Sequence, residues 1–136
     1  MMQYQYPIIK NDLVNAGKVS SQIKQLLKGL GVDNKVLRNI SIACYEAEIN
    51  TVIHSEGGEV ILNIFPNCIQ LVFNDVGPGI EDIDKALAPG FSTANEAARE
   101  YGFGAGMGLP NIKRVTDYFD IQSSPSGTNL TLRFEV

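Results

Sequence analysis

Glu46 and Asn50 stand four residues apart in AlaCysTyrGluAlaGluIleAsn. On a helix, about 100° per residue brings their polar tips roughly 40° apart and one turn removed. A carboxylate there can take a proton from a hydroxyl, and an amide oxygen can ligate Mg²⁺. A solvated polar face would look the same, so the pair needs support from elsewhere in the chain. Glu48 lies about 200° from Glu46; spacing alone does not say which of the two faces a site, and the motifs downstream single out Glu46 and leave Glu48 as a surface candidate.

Asp75 supplies a second piece. It follows the apolar run Ile69-Gln-Leu-Val-Phe73 and opens AspValGlyProGlyIle. An acid at a strand end can accept a hydrogen bond from the amino group of a base, and Gly77 and Gly79 let backbone pass close to a flat ring. A plain turn is the competing reading.

Glycines alternate at 102, 104, 106 and 108 in GlyPheGlyAlaGlyMetGlyLeu. Such a string costs backbone entropy, which a merely structural loop has little reason to accept. It frees backbone N–H groups to wrap phosphates, and a helix beginning near Leu109 would aim its dipole at them. The commoner nucleotide signatures are absent: there is no GxxxxGK[ST], no GxGxxG because Met107 and Leu109 break the spacing, and no HRD or DFG. His54, the one histidine, reads as a helix end or local packing rather than a catalytic group.

Those residues need elements to hold them. Residues 3–9 read as a first strand, and Asn11 or Asp12 as the cap of a helix reaching Leu30, with Val19, Ile23, Leu26, Leu27 and Leu30 on its apolar face. Asp33 caps a second helix that carries Glu46 and Asn50 to about His54. Residues 59–65 and 69–74 read as strands joined at Pro66-Asn67, residues 80–87 as a short helix, and 109–119 as a helix with Pro110 in its first turn. Two strands, 119–123 and 128–135, close the chain around Ser124-Pro-Ser-Gly127. Residues 88–106 hold five Ala and four Gly without a clear period and suggest a mobile lid. Helices and strands in separate runs imply an α+β fold with helices on one face of a sheet.

Bulk properties narrow the partners. At 136 residues the chain is one domain, residues 1–136, large enough to need no disulfide. A net charge of −4 and a pI near 4.9 argue against nucleic acid or an anionic membrane. No apolar run approaches the ~18 residues of a membrane span. Cys44 and Cys68 form no CxxC and read as buried free thiols; with no leader-like N-terminus, a cytoplasmic location is expected.

Taken in order, the motifs resemble the Bergerat-fold ATP-binding family, which includes sensor histidine kinases, DNA gyrase, MutL-type repair proteins and the ninety-kilodalton heat-shock chaperones. Glu46…Asn50 looks like its N box, AspValGlyProGly its G1 box, GlyAlaGlyMetGlyLeu its G2 box, and Gly127-Thr128 its late Gly-Thr. The likeness is nearest to bacterial anti-sigma factors and switch-protein serine kinases, because Gly90-Phe-Ser-Thr-Ala94 and Gly108-Leu-Pro110 followed by Lys113-Arg114 resemble theirs. About eight residues, 95–102, stand as an insertion relative to the switch kinases, and the arginine that precedes the G2 box in the anti-sigma kinases is here offset to Arg99.

The resemblance implies a two-layer α/β sandwich with a mixed, mainly antiparallel sheet, and a Mg-ATP-dependent serine/threonine protein kinase acting on a STAS-domain anti-sigma antagonist. It assigns Glu46 as general base, Asn50 as Mg²⁺ ligand and Asp75 as adenine anchor. ATP contacts would come from Asn50, Asp75, Gly77, Gly79, Ser92, Thr93, Arg99, Gly104, Gly106, Met107, Gly108, Leu109 and Thr128. It leaves open a sigma factor as a further partner and a homodimer as the assembly. A nucleotide-gated sequestering module and a detached histidine-kinase catalytic domain are the alternatives; the second lacks a phospho-acceptor hairpin in this sequence.

Overall fold

The computed structural model describes residues 1–77, 87 and 108–136. The expected short helix at 80–87 and the lid at 88–106 therefore lie outside the described residues, apart from Leu87 itself, which packs partly buried against the core.

In chain order the elements are β1 (Met2–Ile8), α1 (Lys18–Gly29), α2 (Asn34–His54), β2 (Gly58–Ile64), β3 (Cys68–Asp75), α3 (Gly108–Val115), β4 (Tyr118–Ser124) and β5 (Gly127–Glu135). The strands form one sheet in the order β1-β2-β3-β5-β4. Every pairing in it is antiparallel, so the described sheet carries none of the parallel pairing that a mixed sheet would have.

Alternation along the strands decides which face the helices cover. Val60 and Leu62, Ile69, Leu71 and Phe73, and Leu130, Leu132 and Phe134 are all buried on one face. Ile40, Ala43, Cys44, Ala47 and Val52 of α2, Ile23 and Leu27 of α1, and Leu109 and Ile112 of α3 complete the same core. The opposite face carries a polar row beside the Ile61–Val72 pair. Gln3, Asn63, Gln70 and Arg133 follow one another across the register, with Gln3 donating to Asn63 at 2.8 Å and Asn63 to Gln70 at 3.0 Å. The Arg133 guanidinium ends this row over the Tyr118 ring, 5.0 Å from its centroid.

Two helices differ from the sequence expectation. The first does not begin at Asn11 or Asp12 but at Lys18. Asp12 bonds instead to the backbone and side chain of Asn15 in a local turn, Asn11 takes φ 58°, and Gly17 takes φ 95° just before the helix. The last helix stops at Val115, short of Phe119. There the sheet claims the backbone: Asp117 N–H donates to Arg133 C=O at 3.0 Å, and the Asp117 carboxylate accepts from Glu135 N–H at 2.8 Å. The second helix begins where Asp33 was expected to cap it, its carboxylate accepting from Lys35 N–H at 3.1 Å. Leu30, placed on the apolar face of α1 by the pattern, is 47% exposed.

Cys44 and Cys68 are free. Burial pushes the Cys44 thiol up to about 12, so it behaves as a small core side chain. Cys68 is only half-buried, against the expectation of a buried thiol.

Candidate nucleotide site

The sheet end that holds Asp75 is assembled by close backbone approach. Asp75 is the last residue of β3 and pairs with Gly58 of β2. A Cβ on Gly58 would overlap Asn74 C=O and come within 2.7 Å of Asp75 Cα. A Cβ on Gly127, the first residue of β5, would overlap Asp75 C=O. Glycine on both sides therefore lets the neighbouring strands approach the Asp75 backbone more closely than any side chain would allow. Thr128 N–H donates to Asp75 Oδ1 at 2.8 Å, and the Thr128 hydroxyl shares a 2.8 Å hydrogen bond with Ser123. Burial raises the proton affinity of the Asp75 carboxyl, and the Thr128 N–H partly offsets it.

Backbone bonds tie this corner to the end of α2. Glu56 N–H donates to Val76 C=O at 2.7 Å, and Val76 N–H to Gly57 C=O at 3.0 Å. Gly77, with φ 152°, donates to Ser126 C=O at 3.3 Å and lies against Ser55 and Glu56, so it packs the chain turn after Asp75. At about 1.5 Å per residue, Asn50 and Glu46 lie roughly 6 and 12 Å back along α2 from His54, its last residue.

Helix α3 covers that stretch of α2. A Cβ on Gly108 would meet Asn50 Nδ2 at 3.0 Å and Oδ1 at 3.1 Å. Only glycine lets the first residue of α3 sit so close to the Asn50 amide without displacing it. Glu46 is half-buried; burial raises its proton affinity, and a hydrogen bond from the Asn111 side chain of α3 partly offsets that. Leu109 and Ile112 anchor the opposite side of α3 in the core. Leu109, expected among the nucleotide contacts, is thus a buried packing residue with 8% exposure.

Glu46, Asn50, Asp75, Gly77, Gly108, Leu109 and Thr128 are accordingly described, and they gather around the C-terminal half of α2 and the adjoining sheet end. Gly79, Ser92, Thr93, Arg99, Gly104, Gly106 and Met107 lie outside the described residues. His54 is half-buried, and burial lowers its proton affinity.

Glu48 corrects an expectation. It is not a surface group: its exposure is 2%. Oε2 accepts from Gly17 N–H at 3.0 Å and Val19 N–H at 3.3 Å, and Oε1 from Ser20 N–H at 2.8 Å and the Ser20 hydroxyl at 2.6 Å. Helix α1 has no acidic residue in its first turn and no cap of its own, so a carboxylate from α2 serves as its cap. Asn111 was also missed; its signal is that it falls one turn after Gly108, on the same side of α3.

Among the described residues no cluster of three or more His, Cys, Asp or Glu could hold a metal, and no helix is long and apolar enough to cross a membrane. The donor set still suits Mg²⁺ carried by a nucleotide. Mg²⁺ keeps water and phosphate oxygens and needs few protein ligands, and the Asn50 amide oxygen is a hard one.

The chain is 29% identical over 104 residues to the serine/threonine-protein kinase RsbT of Bacillus subtilis, covering 74% of this chain and 72% of that one. It is 33% identical over 94 residues to an anti-sigma F factor of Caldanaerobacter subterraneus, covering 65% and 62%, so less than two-thirds of that relative is matched. A solved SiaB–SiaC complex from Pseudomonas aeruginosa contains a chain of the same fold, with a TM-score of 0.51 at 12% identity over 100% of this chain and 90% of that one. Residues 9–134 match the histidine kinase-like ATPase domain, and the chain belongs to that family.

Proposed function

We propose that the protein is a Mg-ATP-dependent serine/threonine protein kinase of a partner-switching pathway, phosphorylating a STAS-domain anti-sigma antagonist. The observation that carries the reading is the pair on α2: a half-buried Glu46 whose proton affinity is raised, one turn from an Asn50 amide that glycine at 108 leaves accessible to the start of α3. The similarity to RsbT supports it.

Glu46 takes the proton of the substrate hydroxyl as that oxygen bonds to the γ-phosphorus of ATP and the bond from that phosphorus to the β–γ bridging oxygen breaks, releasing ADP. A base held above the ordinary carboxylate range is better matched to this task near neutral pH. Asn50 would hold Mg²⁺ through its amide oxygen, and the ion would supply charge neutralisation at the phosphates. Asp75 accepts from the exocyclic amine of adenine, with Thr128 N–H fixing one carboxylate oxygen. Phosphoryl transfer needs mainly positioning and charge neutralisation, which suits so sparse a set of groups. Gly79, Ser92, Thr93, Gly104, Gly106 and Met107 complete the ATP contacts, and Arg99 serves as phosphate clamp.

The test is incubation of the purified chain with labelled Mg-ATP and STAS-domain candidates, beside Glu46→Gln. This variant should keep ATP affinity within a few-fold and lose phosphotransfer by roughly 10²–10⁴. Transfer at the wild-type rate by Glu46→Gln would remove the base. The similarity to an anti-sigma F factor supports a second reading, a nucleotide-gated module that sequesters a sigma factor with little transfer. Tight, ATP-dependent capture of a sigma factor without labelling of any partner would favour it.

A further inference from the structure

On the helix-covered side of the sheet, the row of side chains that contains Asp75 is polar and the next row inward is apolar. Ser123 pairs with Thr128 across β4 and β5, and Asn74, the neighbour of Asp75, pairs with Asn129, the neighbour of Thr128. Two residues along each strand, on the same face, Phe73 pairs with Leu130 and Leu130 with Ile121. Phe73 and Leu130 are buried, and Ile121 packs against the core. Two contacts join the polar row. Thr128 N–H donates to Asp75 Oδ1 at 2.8 Å, and the hydroxyl oxygens of Thr128 and Ser123 lie 2.8 Å apart. Three strands thus place Asp75, Thr128 and Ser123 side by side at the edge of an apolar floor.

We propose that Ser123 is a positioning residue for base recognition: its hydroxyl donates to Thr128 Oγ1 and so leaves the Thr128 hydroxyl proton for the ring nitrogen N1 of adenine. This rests on the reading of Asp75 as adenine anchor. On that edge of adenine the amino group is a donor and the neighbouring N1 an acceptor. A carboxylate set against the amine therefore calls for a donor beside it. The Thr128 hydroxyl has one proton to give. Directed at Ser123, it leaves only lone pairs for N1, and two acceptors oppose each other. When Ser123 donates instead, Thr128 accepts through its oxygen and keeps its proton for the base. Thr128 then serves twice, its N–H fixing one oxygen of Asp75 and its hydroxyl supplying the second contact. The row reads acceptor then donor, which complements adenine. Guanine, with a carbonyl and a protonated N1, reverses that order at both positions.

The test is calorimetric titration with Mg²⁺ and ATP, GTP or 1-deaza-ATP, in which carbon replaces N1. Ser123→Ala should weaken ATP binding roughly 3–10-fold, the scale of one hydrogen bond, and leave 1-deaza-ATP within about twofold. Ser123→Thr keeps a hydroxyl donor and should restore the affinity for ATP. Thr128→Val keeps the shape of Thr128 and removes its hydroxyl. In that background Ser123→Ala should cause no further loss, since both residues act through one contact. Equal losses for ATP and 1-deaza-ATP, or additive losses in the double variant, overturn the positioning role and make Ser123 a support of the sheet end. A preference for ATP over GTP that survives undiminished in Ser123→Ala overturns the proposal alone and leaves Asp75 as anchor. A wild-type protein that binds ATP and GTP equally overturns the anchor, and the role of Ser123 with it.

Discussion

Glu46 and Glu48 leave the same helix two residues apart and meet opposite environments. Glu48 is buried at 2% exposure and receives four donors, three of them backbone N–H groups at the start of α1. Glu46 is half-buried with one named donor, the Asn111 amide, and burial is the larger influence on its carboxyl. A carboxylate saturated with fixed donors has no capacity left for chemistry and works as a clasp between elements. One that is desolvated and has a single donor among the described residues has its proton affinity raised. Among the described contacts, satisfaction more than burial separates the clasp from the carboxylate proposed as base.

The contrast breaks first at Glu48. Glu48→Ala removes the acceptor for three backbone N–H groups and the Ser20 hydroxyl in a site too buried for easy hydration. It should cost roughly 3 kcal/mol or more of folding stability, the scale of losing a buried polar network. Urea denaturation followed by circular dichroism measures it. A loss under about 0.5 kcal/mol would mean that water replaces the clasp and that Glu48 resembles a surface group after all.

Next comes Asp75, a carboxylate between the two extremes. Asp75→Asn keeps an oxygen for Thr128 N–H but presents a weaker and misoriented acceptor to adenine. ATP affinity should fall by about 1–3 kcal/mol. Wild-type protein should prefer ATP to GTP, because a guanine carbonyl would set two acceptors against each other. Calorimetry with both nucleotides decides it; equal affinities remove Asp75 as the anchor.

A smaller effect is expected where Asn50 meets α3. Gly108→Ala places a methyl 3.0 Å from the amide nitrogen and 3.1 Å from the oxygen, so the Asn50 amide must give way by a few tenths of an ångström. The cost is of order 0.5–1.5 kcal/mol. It should appear as weaker ATP binding in Mg²⁺ and vanish in chelator. The same loss in both conditions would show that Gly108 acts on the phosphates rather than through Asn50.

How much of this the sequence carried depends on what kind of contact did the work. The strands were legible within a residue or two because Leu130, Leu132 and Phe134 alternate with polar residues, while Val60–Leu62 and Leu71–Phe73 are short apolar runs flanking the Pro66-Asn67 turn. Asp75 and Gly127-Thr128 were legible as motif, and the register then brought them into a 2.8 Å bond. The start of α1 was not legible. Asp12 is a good local cap, but a carboxylate 28 to 31 residues away took the helix N-terminus instead. Local propensity has no access to such a partner. Asn111 escaped notice for a related reason: its meaning lies in a helix–helix contact, whereas the glycines beside it advertise themselves in the chain.

The smallest effect sharpens the comparison most, because it asks what under-satisfaction costs the fold. Burial raises the folded-state proton affinity of Glu46 above its value in the unfolded chain. The folded protein therefore holds this proton to higher pH than the unfolded chain does. Its stabilising contribution is fully present below the ordinary glutamate range and is lost as pH rises through the raised folded value. Near neutrality the folded state must carry a partly desolvated charge. Glu46→Gln has no such charge, so it should be more stable than wild type at pH 7, by less than about 1 kcal/mol because solvent screens a half-exposed group. The gain should shrink towards zero as pH falls below about 4, where wild-type Glu46 is protonated in both states. Urea midpoints for the two proteins across pH 4–8 give the curve. A Glu46→Gln variant that is less stable than wild type at pH 7 would show Glu46 to be a second clasp, and its difference from Glu48 one of degree.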